Sequence, residues 1–183
     1  MITDLAELYT ACDDFFGDIS RYCQICKYDD CAGYQWLLPD EVEELLNADI
    51  ELLKINGEIN IINPFQGRAI NIEEVKPQCP YYQGKRCSIR PLRPFICRIY
   101  PLNFATEGGK IYLVLHLDCD YSRCRQADIY FHQQAIDLFR QIEPRFFKSI
   151  LSVYCKMDAI TKFPEGPNKY LKLIDVEDIH SHI

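Results

Sequence analysis

Cys79-Pro80-Tyr81-Tyr82-Gln83-Gly84-Lys85-Arg86-Cys87-Ser88-Ile89-Arg90-Pro91-Leu92-Arg93-Pro94-Phe95-Ile96-Cys97-Arg98-Ile99-Tyr100-Pro101 is the stretch that decides how this chain folds. It holds Pro80, Pro91, Pro94 and Pro101, and Pro77 stands just before it. Each proline removes a backbone donor and biases the preceding residue away from helix. Long regular structure is therefore excluded here, and Gln83-Gly84-Lys85 reads as a tight turn between Tyr82 and Arg86. An irregular segment needs something other than a hydrogen-bond ladder to hold it. Three cysteines, Cys79, Cys87 and Cys97, sit at x7 and x9 spacing within it.

Outward from this block the cysteines continue. Cys23-x2-Cys26-x4-Cys31 precedes it and Cys119-x4-Cys124 follows it. The chain has ten cysteines in all. Cys12 and Cys155 fall in helical patterns and are expected as small buried residues. The other eight are expected in loops, where closely spaced thiolates can converge on one centre. A C-x-x-C turn does this best, because the intervening backbone N–H groups point at the sulfurs. Eight sulfurs make two four-thiolate sites, or one site with spare thiols. A structural zinc site usually shows two paired knuckles. Only Cys23/Cys26 is a close pair, with Cys119/Cys124 looser, and the middle three are not knuckle-spaced. An iron–sulfur centre (4Fe–4S) is favoured on that ground, with zinc as the alternative. Arg86, Arg90, Arg93 and Arg98 travel with the cysteines. Arg93 and Arg98 are candidates to sit behind the ligands, offsetting the thiolate charge and donating hydrogen bonds. The competing reading is a basic surface paired with the acidic first 50 residues.

The remaining segments read more simply. Leu5, Leu8, Tyr9, Cys12 and Phe16 predict a helix over 2–16. Pro39-Asp40-Glu41 opens a second helix, with proline and acids in the first turn. Its apolar stripe runs Val42, Leu45, Leu46, Ile50, Leu53, and Asn56-Gly57 ends it. Residues 58–63 and 69–74 alternate and predict two short strands. Ile111–Leu117 predicts a strand after the turn Glu107-Gly108-Gly109. From Ser122 to Lys156 the pattern is helical, broken near Pro144. The expected fold class is thus α+β and mostly helical: an irregular, cysteine-rich, metal-centred core with short β-hairpins and C-terminal helices. One domain is expected over 1–183. Its cysteine core spans about 20–125, a C-terminal helical appendage about 122–160, and a loose tail 164–183.

Composition narrows the function classes. With 48% hydrophobic residues the chain is too apolar for disorder. The formal net charge of -7 argues against a general nucleic-acid footprint. That charge is uneven: residues 1–50 hold 12 acids against Arg21 and Lys27, whereas residues 81–110 hold six bases against Glu107. Met1-Ile2-Thr3-Asp4-Leu5-Ala6-Glu7 has neither the basic nor the apolar region of a secretory signal. No apolar run approaches a membrane span. The expected location is cytoplasmic, where thiols stay reduced and serve as ligands rather than disulfides. No nucleic-acid or membrane partner is expected; a protein partner stays open.

The block from Cys79 to Pro101 resembles the signature of the YkgJ-type cysteine-cluster family, the zinc- or iron-chelating CxxCxxCC domain. In that family an N-terminal cysteine cluster precedes a C-P…C-S-I-Y…R-P-x-x-C-R-x-Y-P string and a later cysteine. Here the string is nearly complete, with Arg90 where tyrosine is common, and the resemblance covers about residues 20–125. The block is also similar to the cluster of flagellin lysine N-methylases, for which the implied cofactor is an iron–sulfur cluster. The chain departs from the pattern at Cys26-Lys27-Tyr28-Asp29-Asp30-Cys31-Ala32, where one cysteine stands in place of an adjacent pair. Asp30 beside Cys31 is then a candidate carboxylate ligand.

The metal-ligand pool is Cys23, Cys26, Cys31, Cys79, Cys87, Cys97, Cys119 and Cys124. Four activities compete. The first is a cluster with a structural or redox role. The second is a relative of, or accessory to, a protein-lysine N-methyltransferase, although no glycine-rich nucleotide-binding turn is present. The third is hydrolysis at a zinc with His116 as ligand, although His132, His180 and His182 are poorly placed to complete the site. The fourth is thiol redox chemistry at Cys23-Gln24-Ile25-Cys26, although no βαβ context surrounds it. Tyr22, Tyr28, Tyr34, Trp36, Tyr81, Tyr82, Phe95 and Tyr100 are expected to pack the loops and keep water off the centre.

Overall fold

The structure, a computed structural model, describes residues 1–17, 19–25, 32–72, 74, 77–161 and 170–181. It is an α+β fold. The first helix, α1 (Leu5–Phe16), starts where the Asp4 side chain accepts the Glu7 N–H at 2.9 Å. It ends at Gly17, whose φ of 57° suits a residue without Cβ. Its buried positions Leu8, Cys12 and Phe16 recur every four residues, so one stripe faces the core. A short helix, α2 (Ser20–Ile25), carries Cys23, where a loop was expected.

The second expected helix is shorter than its apolar stripe. A 3-10 turn (Pro39–Glu41) leads into α3 (Val42–Asn47), and the chain then reverses. Leu53 belongs instead to β1 (Leu52–Ile55), which pairs antiparallel with β2 (Ile59–Ile62). Asn56 and Gly57, with φ of 51° and 72°, form the hairpin turn rather than a helix end. Both structures use left-handed residues, so the dipeptide fits either. The alternation at 69–74 does not make a strand among the described residues. Ile70 and Ile72 are exposed, and the segment is tied down by Arg68–Glu74 (2.8 Å) and by the Tyr34 hydroxyl against the Ile72 and Glu74 carbonyls.

The cysteine block contains a minimal hairpin, β3 (Tyr82–Gln83) with β4 (Arg86–Cys87), then α4 (Phe95–Ile99). The rest is one layered unit. Strands β5 (Leu102–Glu107), β6 (Lys110–His116) and β7 (Tyr170–Asp175) form an antiparallel sheet in the order β5-β6-β7. Gly108 and Gly109 make its first turn at φ of 60° and 78°. After β6 come α5 (Asp120–Arg125), α6 (Ile129–Arg140) and α7 (Pro144–Thr161), broken at Pro144 as the sequence predicts. Phe104 of β5 meets Phe139 of α6 and Phe147 and Tyr154 of α7, with ring centroids 5.4 to 6.2 Å apart.

Two expectations change here. The helices over 122–160 are not an appendage. Phe131, Leu138, Phe139, Phe147 and Ile150 share one buried cluster with Leu8, Phe95 and Leu113. Segment 170–181, read as part of a loose tail, supplies the third strand and buries Val176 and Ile179. The N-terminus closes the same unit, because Ile2 exchanges backbone hydrogen bonds with Gln141 and Glu143. A smaller cluster of Leu37, Leu45, Ile50 and Ile62 packs apart from this core.

His180 follows β7 and packs edge-on against Phe147 at 5.3 Å. Both ring nitrogens are buried without a hydrogen-bond partner. Burial pushes the imidazole below its usual pKa of 6.5, against the opposing pull of the Glu143 carboxylate. A base with a lowered folded pKa takes up protons more readily when unfolded. Its contribution to stability is complete above about pH 6.5 and drains away as pH falls below that value. The variant His180→Phe keeps the packing and removes the orphaned nitrogens. It should gain about 1 kcal/mol at pH 7 and flatten the acid slope of thermal unfolding; an unchanged slope would refute this origin.

Candidate metal centre

The hairpin of β3 and β4 is where the sequence block becomes geometry. Gly84 and Lys85, at φ of 54° and 61°, form a two-residue turn that fits the twist of the flanking strands. Tyr82 thereby faces Cys87 across the ladder. Just before β3, the Tyr82 N–H donates to the Cys79 carbonyl at 3.1 Å, and the backbone amides of Tyr81 and Tyr82 lie near the Cys79 thiol. A sulfur facing two amides is the arrangement that stabilises a metal-bound thiolate. Cys79 is buried, and burial raises its thiol pKa, with a smaller push from the nearby Cys87 sulfur. The two amides pull the other way.

Other cysteines approach this hairpin through their elements. Helix α2, bearing Cys23, lies against β4, bearing Cys87. Tyr22, next to Cys23, stacks edge-on with Tyr121 at 5.0 Å, which draws α2 toward α5. Cys119 caps the N-terminus of α5, half-buried, with its carbonyl taken by Ser122 Oγ (2.7 Å) and Arg123 N (3.1 Å). Cys23, Cys79, Cys87 and Cys119 thus lie on neighbouring elements. Cys97 sits mid-helix in α4, which packs on α1 and β5. Cys124 is exposed on α5. Cys26, Asp30 and Cys31 lie outside the described residues. Among the described residues no group of three or more His, Cys, Asp or Glu side chains has metal-holding geometry, and no disulfide joins any two of their cysteines.

Cys12 is buried in the core stripe, as the sequence predicts, and burial pushes its thiol up to about 12. Cys155 corrects its expectation. It is exposed, because it stands one residue past Tyr154 and so off the Ile150–Tyr154–Met157 face of α7. His116 lies on β6 between the rings of Tyr100 (6.0 Å) and Tyr170 (6.4 Å). His132 Nε2 lies 2.9 Å from the Arg125 carbonyl. Tyr34, Trp36 and Phe95 are buried, and Trp36 meets Phe95 edge-on at 6.2 Å.

Arg98 clamps the loop that leads into Cys97. Its Nε donates to the Arg93 carbonyl (2.8 Å), Nη2 to the Pro91 carbonyl (2.6 Å) and Nη1 to Asp13 Oδ2 (2.6 Å). The guanidinium also stacks 4.0 Å over the Tyr9 ring. Arg93 lies 3.8 Å from Asp13, so the basic block does meet the acidic N-terminal segment at one carboxylate. Behind Arg98 is a residue the sequence reading took only as a first-turn acid. Glu41 is 1% exposed and accepts from the Tyr9 hydroxyl, from Leu38 N–H (2.7 Å) and from Phe95 N–H. Burial pushes its carboxyl up, and the three donors and Arg98 pull it down. Tyr9 is in turn raised by burial and by Glu41. Glu41 therefore joins α1, its own turn and the start of α4. No local pattern marks a buried acid, because its partners lie up to 54 residues away.

No protein-family model matches this chain, and neither does any curated protein or solved structure.

Proposed function

We propose that this chain is a metal-binding cysteine-cluster protein whose centre is a 4Fe–4S cluster with a structural or redox role. The observation that carries this lies at the β3–β4 hairpin: Cys87 pairs with Tyr82, and the buried Cys79 thiol, just before β3, lies near Cys87 and near the backbone amides of Tyr81 and Tyr82. The donor chemistry fits, since both ligand classes under consideration take thiolates. Cys23 and Cys119, on elements packed beside the hairpin, would join them. Cys26, Cys31, Cys97 and Cys124 complete the pool. Arg98 acts by holding the Cys97 loop rather than by donating to sulfur, and Arg93 shares its carboxylate. When bound, an iron–sulfur centre supplies one-electron transfer or cross-links loops that no ladder holds. A structural zinc is the second reading, because a sulfur facing two amides suits zinc equally. No described helix is long and apolar enough to cross a membrane. A cytoplasmic location and the lack of a nucleic-acid partner belong to the same proposal.

The test is metal and sulfide analysis with a visible spectrum on protein purified without oxygen. Bound iron with acid-labile sulfide and a brown colour supports the cluster; colourless protein with stoichiometric zinc supports the second reading. Cys79→Ser and Cys87→Ser should abolish metal binding, whereas Cys155→Ser should retain it. Metal-free protein with circular dichroism indifferent to chelator would refute both readings.

A further inference from the structure

The β1–β2 hairpin closes through Asn56-Gly57-Glu58, and all three residues are exposed. Of the chain's asparagines only Asn56 precedes glycine. Elsewhere the following residue carries a side chain that crowds its own N–H, or, at Asn63, is Pro64, which has none. Among the described residues the Asn56 side-chain amide makes no hydrogen bond, and the Gly57 N–H donates none. No atom lies within 4 Å of the position a Gly57 Cβ would take, so the approach to this nitrogen is open. Asn56 is held at a φ of 51°, a left-handed conformation that is costly for a residue with a Cβ. Leaving that conformation is therefore not opposed by a deep torsional well. Inside the turn the Glu58 N–H donates to the Ile55 carbonyl at 3.0 Å, a bond that engages neither the Asn56 side chain nor the Gly57 nitrogen. Gly57, at a φ of 72°, takes up the compensating rotation because it has no Cβ.

We propose that Asn56-Gly57 is a site of intrachain deamidation, by which the hairpin turn acquires an isoaspartate or an aspartate without any enzyme. Hydroxide takes the proton of the Gly57 N–H. The nitrogen then forms a bond to Asn56 Cγ, and the bond from Cγ to the side-chain nitrogen breaks. That nitrogen takes a proton from water and leaves as ammonia, which closes a cyclic imide. Water opens the ring at the Asn56 backbone carbonyl, giving isoaspartate, or at Cγ, giving aspartate. In sum, an amide and a water become an acid and ammonia, with no transfer of electrons. The two products act differently on the hairpin. Aspartate keeps the main-chain length and tolerates the left-handed region much as asparagine does. Isoaspartate routes the main chain through its own side-chain carbons and so lengthens the turn by a methylene. The Glu58 to Ile55 hydrogen bond and the Ile55–Ile59 register are then set against each other, and both isoleucines are anchored in the core. Either product adds a negative charge beside Glu58, whose carboxylate lies 3.1 Å from the Lys156 ammonium of α7. This site shares no residue with the metal proposal and stands without it.

The experiment ages the folded, full-length protein in mildly alkaline and in mildly acidic buffer and maps its peptides by mass spectrometry, with chromatographic separation of the isoaspartyl and aspartyl forms. The mass gain of an amide turned to an acid is expected in the peptide that holds Asn56, faster in the alkaline sample, with both acid forms present. Peptides holding Asn47, Asn60, Asn71 and Asn103 should lag far behind. Asn56→Gly, which keeps a residue suited to the positive φ, should remove the gain without putting the hairpin at risk. Gly57→Ala should slow it, although alanine is strained at this φ, so Asn56→Gly carries the test. The isoaspartyl fraction should unfold at a lower temperature than the parent, and the aspartyl fraction close to it. A gain at Asn56 in urea-unfolded protein but not in folded protein would overturn the proposal, because the hairpin would then protect the site. Aspartate as the sole product would overturn it as well, since direct hydrolysis needs no ring.

Discussion

Replacing Arg98 by methionine should cost about 3 kcal/mol of folding stability, although the side-chain volume and stem are nearly kept. The guanidinium is 7% exposed and holds three acceptors from two distant parts of the chain. Without it the carbonyls of Pro91 and Arg93 lose their donors, and the face of Tyr9 loses its cation. The buried Glu41 carboxylate also loses its nearest compensating charge. Lysine should not rescue the loss, because one ammonium cannot span both carbonyls and Asp13 in the plane a guanidinium provides. Chemical denaturation of Arg98→Lys decides this. Stability within about 0.5 kcal/mol of the parent would show that the clamp carries no energy of its own. If the metal proposal holds, metal content should fall in the same variants, since α4 carries Cys97 on the clamped loop.

Glu41→Ala should cost about 3–4 kcal/mol, for a different reason. The substitution creates a small cavity, but its main effect is on the partners left behind. Two buried amides, of Leu38 and Phe95, and the Tyr9 hydroxyl lose their acceptor in a place water does not reach. Glu41→Gln should recover only part of the loss. Its single amide oxygen can serve one side, while its NH2 would face a donor. The two sites should not add. Each single variant leaves the other's charge buried, so Glu41→Ala combined with Arg98→Met should cost less than the sum of the singles. Strict additivity in unfolding experiments would mean that the two residues act separately.

Both predictions rest on contacts that local patterning does not encode. Asp13 and Arg98 are 85 residues apart, and nothing in either neighbourhood marks the pair. The smaller features were more legible. The tight turn at Gly84-Lys85 follows from its residues alone, because glycine enters the left-handed region without strain and sets a two-residue hairpin. That turn sets Tyr82 opposite Cys87. The break at Pro144 was legible for a similar reason, since proline lacks an N–H and ends the preceding helix. By contrast, Leu52–Ile55 could satisfy a helical stripe or a strand with equal ease, and only pairing with Ile59–Ile62 selects the strand. β7 was missed because its short run, Tyr170–Asp175, carries weak alternation. It becomes a strand by completing the edge of β6.

By itself, then, the sequence determined the local chemistry: where proline forbids regular structure, where glycine turns the chain, which helical stripes are apolar, and that cysteines concentrate between 20 and 125. Those properties depend on residues within a few positions of one another. Tertiary structure alone decided that the C-terminal helices build the core and that segment 170–181 completes the sheet. It alone decided that one carboxylate, Glu41, joins three elements, and that Asp13, Arg93 and Arg98 meet around a cavity. Each of these depends on closing long loops, whose entropy cost is met only by burial and hydrogen bonding in the finished fold.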